Sequence, residues 1–490
     1  MKRLLAILVL APVLSAQVEL PSPYRETGEL RWASDAEGGA PFVYADPTDP
    51  NREIGFEVDL AAAIADALGV RMRRVQTPWE HLVEGLDRGD FDLVMNGFEP
   101  TPDRLPQVAF TRPYYIFQQQ LSVPIDSKAT SLADCAGHRV GCLGQSASHL
   151  VLKEHPEIEA VVYEDPTMIY VDIENGRLFA GLADLPIAMV MTPRHPRVRS
   201  AGEPFGEFYY AIAVRKGERD LQRAVDGAIA GLYADGSLER IYRKWNLWHA
   251  IEEHLGDPKL LSFVDGATSV DAHPPFDWGK SLGLMLVGAA RTVAISVGSF
   301  VLAVVLGLAI ALTRLYGPRP LRWAMVAYVE LFRGTPVLVQ LLFLYYGLGH
   351  LQALQMPAWV AGVLGLGLNY AAYEAEIYRG AISAIPRGQI EASLALGLSG
   401  PQTVRFVVVP QALRLSLAPS TNDFIALFKD SSMVMVITVV ELSKQYNMLA
   451  SASGYHISLG LLTSALYLAM SLPLAWCARR FERSLDRDRT

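Results

Sequence analysis

Cysteine is scarce in this sequence of 490 residues, where only Cys135, Cys142 and Cys477 occur. Their spacing does not match the patterns of zinc sites, which excludes a metal site built on cysteine. Charged residues make up only 19%, the formal net charge is −8 and no basic stripe is present, so the usual basis for binding nucleic acid is missing. In an oxidising compartment Cys135 and Cys142 could form a disulfide. We favour the alternative that both are small buried apolar residues.

Long apolar runs are absent between residues 25 and 250 but frequent from Val293 onward. A helix needs about 20 apolar residues to cross a hydrocarbon core. The sequence therefore predicts a soluble domain over 25–248, a linker over 249–280 and a membrane domain over 281–483. The five predicted membrane helices are 293–312, 323–347, 357–379, 416–440 and 457–478.

The extreme N-terminus has a pattern of its own. Lys2 and Arg3 precede an apolar stretch from Leu4 to Leu14, and the small residues Ser15 and Ala16 follow. This pattern predicts a secretory signal peptide over residues 1–16. An uncleaved anchor is the alternative, but the apolar stretch is too short to span a membrane. We therefore expect the soluble domain to lie outside the cytoplasmic membrane.

The soluble half alternates β-rich runs with helical runs. This order implies parallel sheets covered by helices, and because it begins again near Gly137 we expect two α/β lobes with a ligand cleft at the carboxyl ends of the strands. The predicted strands are Leu30–Ser34, Arg71–Gln76, Phe91–Met95, Arg139–Cys142 and Ile187–Met191, and the predicted helices are Gly55–Leu68, Trp79–Leu86, Ala147–Lys153 and Leu221–Tyr233.

Positive residues gather after the first, third and fifth predicted membrane helices. Segments rich in Lys and Arg face the cytoplasm, and this orientation agrees with a secreted N-terminal domain. We therefore expect a multi-pass protein of the inner membrane with a cytoplasmic loop over 381–414. Polar residues inside membrane helices are costly and usually functional. The candidates of this kind are Glu330, Asn369, Glu374, Asn422 and Lys429.

The cytoplasmic loop carries the most specific motif of the sequence. It reads Glu391-Ala392-Ser393, then Gly397, then three valines and Pro410. A short helix over Ile390–Leu396, ended by Gly397, suits docking in a groove of a partner. The stretch resembles the EAA loop of ABC importer permeases of the polar amino acid branch, with Ser393 in place of the second Ala of the motif. The segments 328–348 and 421–434 also resemble that branch.

This resemblance implies a partner and a mechanism. The loop, through Glu391, Ala392, Gly397 and Pro410, is expected to dock on a separate cytoplasmic ATPase dimer whose closure switches the membrane path. Two permease copies are needed, so a homodimer embedded in lipid is expected. ATP is then used by the partner and no cofactor is bound by this chain. The chain is not expected to be an enzyme, because Gly279-Lys280-Ser281 lacks the earlier Gly of a phosphate-binding loop.

Residues 29–248 resemble the periplasmic amino-acid-binding proteins. The matching stretches include IGFEVDLAAAIADALGV (54–70), NGFEPTPDR (96–104) and DGSLERIYRKW (235–245). The resemblance implies a bilobed α/β domain of the type II binding-protein fold, followed by the all-α membrane domain. Together the two resemblances imply an ATP-driven importer of amino acids or related small polar or amine solutes.

An amino acid offers a carboxylate, which a forked guanidinium binds well, and an ammonium group, which needs an acceptor. Each candidate residue also has a purely structural alternative. Arg104 could be a surface residue, Asp184 a turn residue, and the others helix caps or core residues. By the resemblance, Arg104 binds the carboxylate, the backbone of Ser146 and Ala147 reaches it, Asp184 accepts from the ammonium, and Asp35 and Trp79 line the side-chain pocket.

The sequence departs from that family at Glu99, which stands two residues after Gly97 where Thr or Ser is usual. A carboxylate there either pairs with Arg104 and weakens carboxylate binding, or holds an extra positive group on the ligand. Gly39 also replaces an aromatic residue that often stacks on the ligand. The acidic lining slightly favours a cationic or amine-bearing ligand, although the sequence does not name one.

Two other classes of protein use a similar bilobed domain. In ligand-gated channels the pore helices interrupt the domain, whereas here the domain is complete before the first membrane helix, and no TVGYG-type filter occurs. In a periplasmic dehydratase, Glu99 near Arg104 would suit general acid catalysis, but the membrane helices and the docking loop would then have no use.

Overall fold

The computed structural model describes residues 20–36, 39–257, 260, 276–348, 351, 354–453 and 455–487. The predicted signal peptide and most of the predicted linker lie outside the described residues. Contacts divide the described chain into two compact units. The first contains the described residues up to Gln120, Asp184–Val190 and those from Glu203 to Leu260, and the second contains Leu121–Ala183, Met191–Gly202 and those from Phe276 onward. The predicted limits of the soluble and membrane domains stay predictions.

The first half of the chain consists of strands and helices in alternation. Its strands are β1 (Glu29–Ser34), β2 (Tyr44–Asp46), β3 (Asp49–Ile54), β4 (Arg71–Gln76), β5 (Leu93–Val94), β6 (Val108–Pro124), β7 (Arg139–Leu143), β8 (Glu159–Tyr163), β9 (Ala180–Asp184) and β10 (Val198–Arg215). Its helices are α1 (Ser22–Thr27), α2 (Phe56–Leu68), α3 (Leu82–Arg88), α4 (Ala147–Lys153), α5 (Pro166–Glu174), α6 (Leu185–Arg194), α7 (Arg219–Ala234) and α8 (Ser237–Lys244).

The first unit has a sheet in which β1 lies parallel to both β4 and β5, while β10 runs antiparallel to β5. Helix α2 covers this sheet with a buried apolar face at helical spacing, namely Phe56, Leu60 and Ile64. Gly55 precedes the helix with a φ of 149°, and a Cβ there would lie 1.8 Å from a backbone carbonyl oxygen. Only glycine fits at that position, so Gly55 determines where α2 begins.

In the second unit β7 lies between β8 and β9, and all three strands are parallel. Cys135 and Cys142 are buried here and are not joined by a disulfide, so both are the small core residues that we favoured. The strand predicted over Ile187–Met191 is wrong, because these residues lie in α6 and the strand β9 comes just before them. A short apolar run has no period that separates a strand from a buried helix.

The second half of the chain is helical in its described residues. Its helices are α9 (Trp278–Tyr316), α10 (Arg319–Gly334), α11 (Val337–Leu342), α12 (Ala358–Ser383), α13 (Arg387–Ala395), α14 (Gly400–Thr403), α15 (Val409–Asp430), α16 (Leu442–Ser453) and α17 (His456–Arg487). Wider π turns lie at Phe343–Gly347 and Val404–Val408, and a 3-10 segment at Ser431–Ile437.

Two of the described helices are long and apolar enough to cross a membrane, α9 and the His456–Pro473 part of α17. A third span results if α10 and the segment Val337–Gly347 count together, although they are bent by 110°. Helices also lie at the other predicted spans, but α12 carries two Glu and an Arg, and α15 carries Arg, Asp, Lys and an internal Pro. The count of five therefore stays a prediction.

Candidate functional site

Arg104 is the centre of the candidate site in the first unit. Its backbone N–H donates to Thr101 O at 3.0 Å, which closes the turn after β5. The side chain is buried, and its Cζ lies 3.9 Å from the Phe98 ring centre and 4.7 Å from that of Trp79. Aromatic faces attract a guanidinium. The two rings therefore hold the cation flat and away from bulk water.

Glu99 pairs with this guanidinium, which is one of the two alternatives that the sequence predicted. Nη1 of Arg104 donates to Glu99 Oε2 at 2.8 Å and to the Glu99 carbonyl oxygen at 3.0 Å. Within the described part of the chain, Nη2 and Nε of Arg104 make no hydrogen bond. Burial lowers the pKa of Arg104, while Glu99 and Asp184 act in the opposite direction. Half of the guanidinium fork is thus left for another acceptor.

The turn that carries Glu99 contains Gly97 and is bound by the side chain of Glu57. Gly97 has a φ of 58°, and a Cβ there would lie 2.6 Å from the Phe42 ring. Its N–H donates to Glu57 Oε1 at 2.6 Å, and the Tyr114 hydroxyl donates to the same oxygen. Burial raises the pKa of Glu57 to about 7, and among the described residues its Oε2 has no partner. A buried carboxyl group of α2 therefore fixes the turn.

Asp184 ends strand β9 and is buried. Its Oδ1 accepts from Gln119 Nε2 at 2.8 Å, and its Oδ2 accepts from the Tyr210 hydroxyl at 2.6 Å. The Tyr210 ring stacks on Phe117 with centroids 4.1 Å apart, and burial raises the pKa of Tyr210. Donors on β6 and β10 therefore fix the orientation of the Asp184 carboxylate.

Asp35 and Trp79 have a clear structural role. Asp35 Oδ2 accepts from the backbone N–H of Trp79 at 3.0 Å, and its Oδ1 accepts from Gln76 Nε2 at 2.9 Å. Asp35 thus binds the first N–H of the 3-10 turn at Trp79–His81, and Trp79 lies beside Arg104 as described above. Both residues position the arginine, whatever they contribute to a side-chain pocket.

Ser146 and Ala147 belong to the second unit, whereas the other predicted site residues belong to the first. Ser146 precedes α4, where its Oγ accepts from His149 N at 3.4 Å and donates to the Leu143 carbonyl oxygen at 2.8 Å. Ala147 is the first residue of that helix. The first unit therefore brings together Asp35, Trp79, Gly97, Glu99, Arg104 and Asp184, and the role of the remaining two residues stays a prediction.

The loop predicted to dock on an ATPase forms two short helices, α13 and α14. Glu391, Ala392 and Gly397 are exposed on α13 and at its end, where Gly397 has a φ of 87°. The hydroxyl of Ser393 is directed inward and donates to the Ile390 carbonyl oxygen at 2.7 Å. Leu394 and Leu396 are 48% and 85% exposed. This apolar exposure fits a surface that a partner covers.

Pro410 does not end the helical chain, although it ends the apolar run. It is exposed and occupies the second position of α15, directly after the π turn at Val404–Val408. Proline has no N–H to donate and is tolerated in the first turn of a helix.

The polar residues predicted for the membrane region divide into two groups. Asn369 is buried and donates to the Phe332 carbonyl oxygen and to Gln340 Oε1, both at 3.0 Å, and buried Glu374 accepts from Ser420 at 2.7 Å. Asn369 also lines a cavity of about 470 Å³ together with Arg333 and Asp423. Three predicted residues are exposed instead, namely Glu330, Asn422 and Lys429.

The similarity of this chain to known proteins identifies its family. Residues 30–247 match the model of bacterial extracellular solute-binding proteins, family 3, and residues 303–488 match that of the binding-protein-dependent transport system inner membrane component. The glutamine transport permease GlnP of Escherichia coli is 35% identical over 214 residues, which is 43% of this chain and 98% of the relative. This chain belongs to the amino-acid ABC transporter permeases. Its solute-binding domain is fused in front of the permease domain.

Other relatives of the permease domain include the probable amino-acid permease YckA of Bacillus subtilis, 37% identical over 191 residues, which cover 39% of this chain and 84% of the relative. Among solved structures, the holo form of ArgBP from T. maritima is 25% identical, with a TM-score of 0.41 over 45% of this chain and 99% of that chain.

Several residues of the site in this permease fusion were not predicted from the sequence. Phe98 under Arg104, Gln119 and Tyr210 at Asp184, and Glu57 at Gly97 were not expected to act there. Glu57 alone gave a signal, because it lies on the buried face of α2, where a carboxylate needs a partner.

Proposed function

We propose that this chain captures an amino acid outside the cytoplasmic membrane and passes it through a dimeric permease path that a separate ATPase drives. Membership of the amino-acid ABC permeases and the fused solute-binding domain support the importer. The observation that carries the choice of ligand is the buried, ring-stacked Arg104, whose Nη2 and Nε donate to no described residue. Two parallel N–H groups of this kind suit a carboxylate.

The charges around Arg104 favour a ligand that carries extra positive charge. Among the predicted site residues of the first unit, three are buried acidic residues, Asp35, Glu99 and Asp184, and one is a buried arginine, Arg104. A zwitterion adds no net charge to this group, whereas a cationic amino acid offsets one negative charge. Relatives of the permease domain are named for glutamine, cystine and arginine, so the family itself leaves the side chain open.

Isothermal titration of the purified full chain tests this proposal. The panel contains arginine, lysine, glutamine and agmatine, which is arginine without its α-carboxylate. We expect arginine or lysine to bind most tightly, agmatine to bind poorly, and all solutes to be recovered unchanged, which separates a carrier from a dehydratase. Failure of every amino acid to bind, or tighter binding of agmatine than of arginine, would contradict the role given to Arg104.

The exposed face of α13 supports coupling to an ATPase. Glu391 and Ala392 lie on a short helix beside the exposed Leu394 and Leu396, and a short helix of this kind suits a groove on a partner. Deleting residues 390–397 should abolish the solute-stimulated ATP hydrolysis of the reconstituted complex. Solute affinity should stay within about twofold, because no residue of the candidate solute site lies in this loop. Stimulation that survives the deletion would show that coupling lies elsewhere.

A further inference from the structure

A second arginine with a buried side chain, Arg177, lies in the α/β part of the second unit and is not one of the predicted solute-site residues. Nη1 of Arg177 donates to Asp172 Oδ1 at 2.9 Å, and the two side chains are 8% and 1% exposed. Oδ2 of Asp172 accepts from the Tyr163 hydroxyl at 2.6 Å. Both partners of this ion pair therefore belong to the α/β part.

Tyr345 of the permease domain contacts this pair in three ways. Its hydroxyl donates to Asp172 Oδ2 at 3.0 Å, and its carbonyl oxygen accepts from Arg177 Nη2 at 2.6 Å. The guanidinium of Arg177 also lies 3.9 Å from the centre of the Tyr345 ring. A donor, an acceptor and a ring face are thus all matched, which requires one orientation of the two partners.

A second ion pair joins the same two regions. Lys444 Nζ lies 2.5 Å from Glu164 Oε1, and the side chain of Lys444 is only 4% exposed. Lys444 stands in the first turn of α16, where the helix dipole disfavours a positive charge. Burial adds to that cost. Glu164, which belongs to the α/β part, stabilises a cation that is unfavourably placed in the permease domain.

Apolar contact lies between these two polar contacts. Met168 and Val171 of α5 pack against a permease cluster that includes Leu341, Tyr345 and Val434. Met168, Val171 and Asp172 are three and four residues apart and so share one face of α5. The contact has an apolar centre with charged pairs beside it, as specific protein interfaces do.

We propose that this face of α5, with Glu164 and Arg177 beside it, is a docking surface that holds the second α/β lobe on the permease of the same chain. None of its residues belongs to the proposed solute site, so we expect docking both with and without bound solute. The proposal rests on the proposed function for its role in transport, because only a carrier has a solute to deliver. Tethering raises the local concentration to about millimolar, so a modest interface is sufficient.

A zero-length carbodiimide crosslink tests the docking directly. Activation of Glu164 should allow Lys444 to form an amide, with loss of one water, which peptide mass spectrometry of the full chain in lipid nanodiscs detects. The link should form equally with and without arginine and disappear in Lys444→Arg, which keeps the charge. Lys244 and Asp59, 2.6 Å apart, serve as the internal positive control. A Lys244–Asp59 link without the Glu164–Lys444 link overturns the proposal.

Charge reversal tests the role of docking in transport. Glu164→Lys and Lys444→Glu should each lower solute-stimulated ATP hydrolysis about tenfold, and the double variant should recover to within about threefold of the parent. Glu157→Lys, an equal charge change at an exposed residue outside the docking surface, should have no effect. Single variants as active as the parent overturn the role in transport. A parent complex without solute stimulation instead contradicts the proposed function, and the crosslink still reports docking.

Discussion

Two buried arginines of this molecule share their chemistry but differ in what they leave open. Arg104 and Arg177 each pair with a carboxylate and each lie 3.9 Å from the centre of an aromatic ring. Arg177 uses both Nη atoms, one for Asp172 and one for the Tyr345 carbonyl oxygen. Arg104 places both of its hydrogen bonds on Nη1. The same side chain thus joins two parts of a protein in one region and retains free donors for a ligand in another.

The largest expected effect separates the two arginines by solute affinity. Arg104→Ala should weaken amino-acid binding at least about 100-fold, because a carboxylate loses its charged hydrogen-bond donors. Arg177→Ala should leave the affinity within about twofold. Titration calorimetry on both variants measures the difference. The comparison breaks if Arg177→Ala weakens binding as much as Arg104→Ala does.

A smaller effect concerns ligand choice. Glu99→Gln keeps the shape of the Arg104 partner but removes its charge, so the preference for arginine over glutamine should fall about tenfold. Asp103→Asn is the matched control, because Asp103 lies next to Arg104 in sequence but makes no hydrogen bond to it. An unchanged preference in Glu99→Gln would show that Glu99 serves only to balance Arg104.

The smallest expected effect is a pH dependence of stability in the region around Arg104. The folded pKa of Glu57, about 7, lies above its ordinary 4.5, so the folded state holds a proton that the unfolded state releases. Its contribution to stability is complete below about pH 4.5 and is lost as the pH rises through 7. Thermal unfolding should occur a few degrees lower at pH 8 than at pH 5.

Glu57→Gln is the control for this pH effect. Burial also raises the pKa of Glu252, to about 9, so a fall with pH will persist in part. The fall between pH 5 and pH 8 should nevertheless be smaller in Glu57→Gln than in the parent. Identical pH profiles would show that Glu57 is ionised in the folded protein.

Much of the α/β architecture could be predicted because local signals agree. The bounds expected for β4 and α4 are those observed, and α2 begins and ends next to the glycines that the sequence marks. The run Ile187–Met191 shows where such signals fail. Its residues are apolar throughout, so no alternation separates a strand from a buried helix.

Contacts of the site could be predicted only between residues that are close in sequence. Glu99 and Arg104 are close in sequence, and their pairing was one of the two expected outcomes. Tyr210 reaches Asp184 from a different strand, and no local pattern indicates that contact. Arg177 and Tyr345 are 168 residues apart, so their meeting depends on tertiary structure alone.

Helix α9 has 39 residues, which gives a length of about 58 Å, nearly twice the thickness of a hydrocarbon core of about 30 Å. Arg291 is its fourteenth residue, so about 20 Å of helix precede that charge. A rigid stretch of helix therefore separates Arg291 from the first residue of α9. Any tilt of α9 would displace its first residues, and with them the end of the predicted linker.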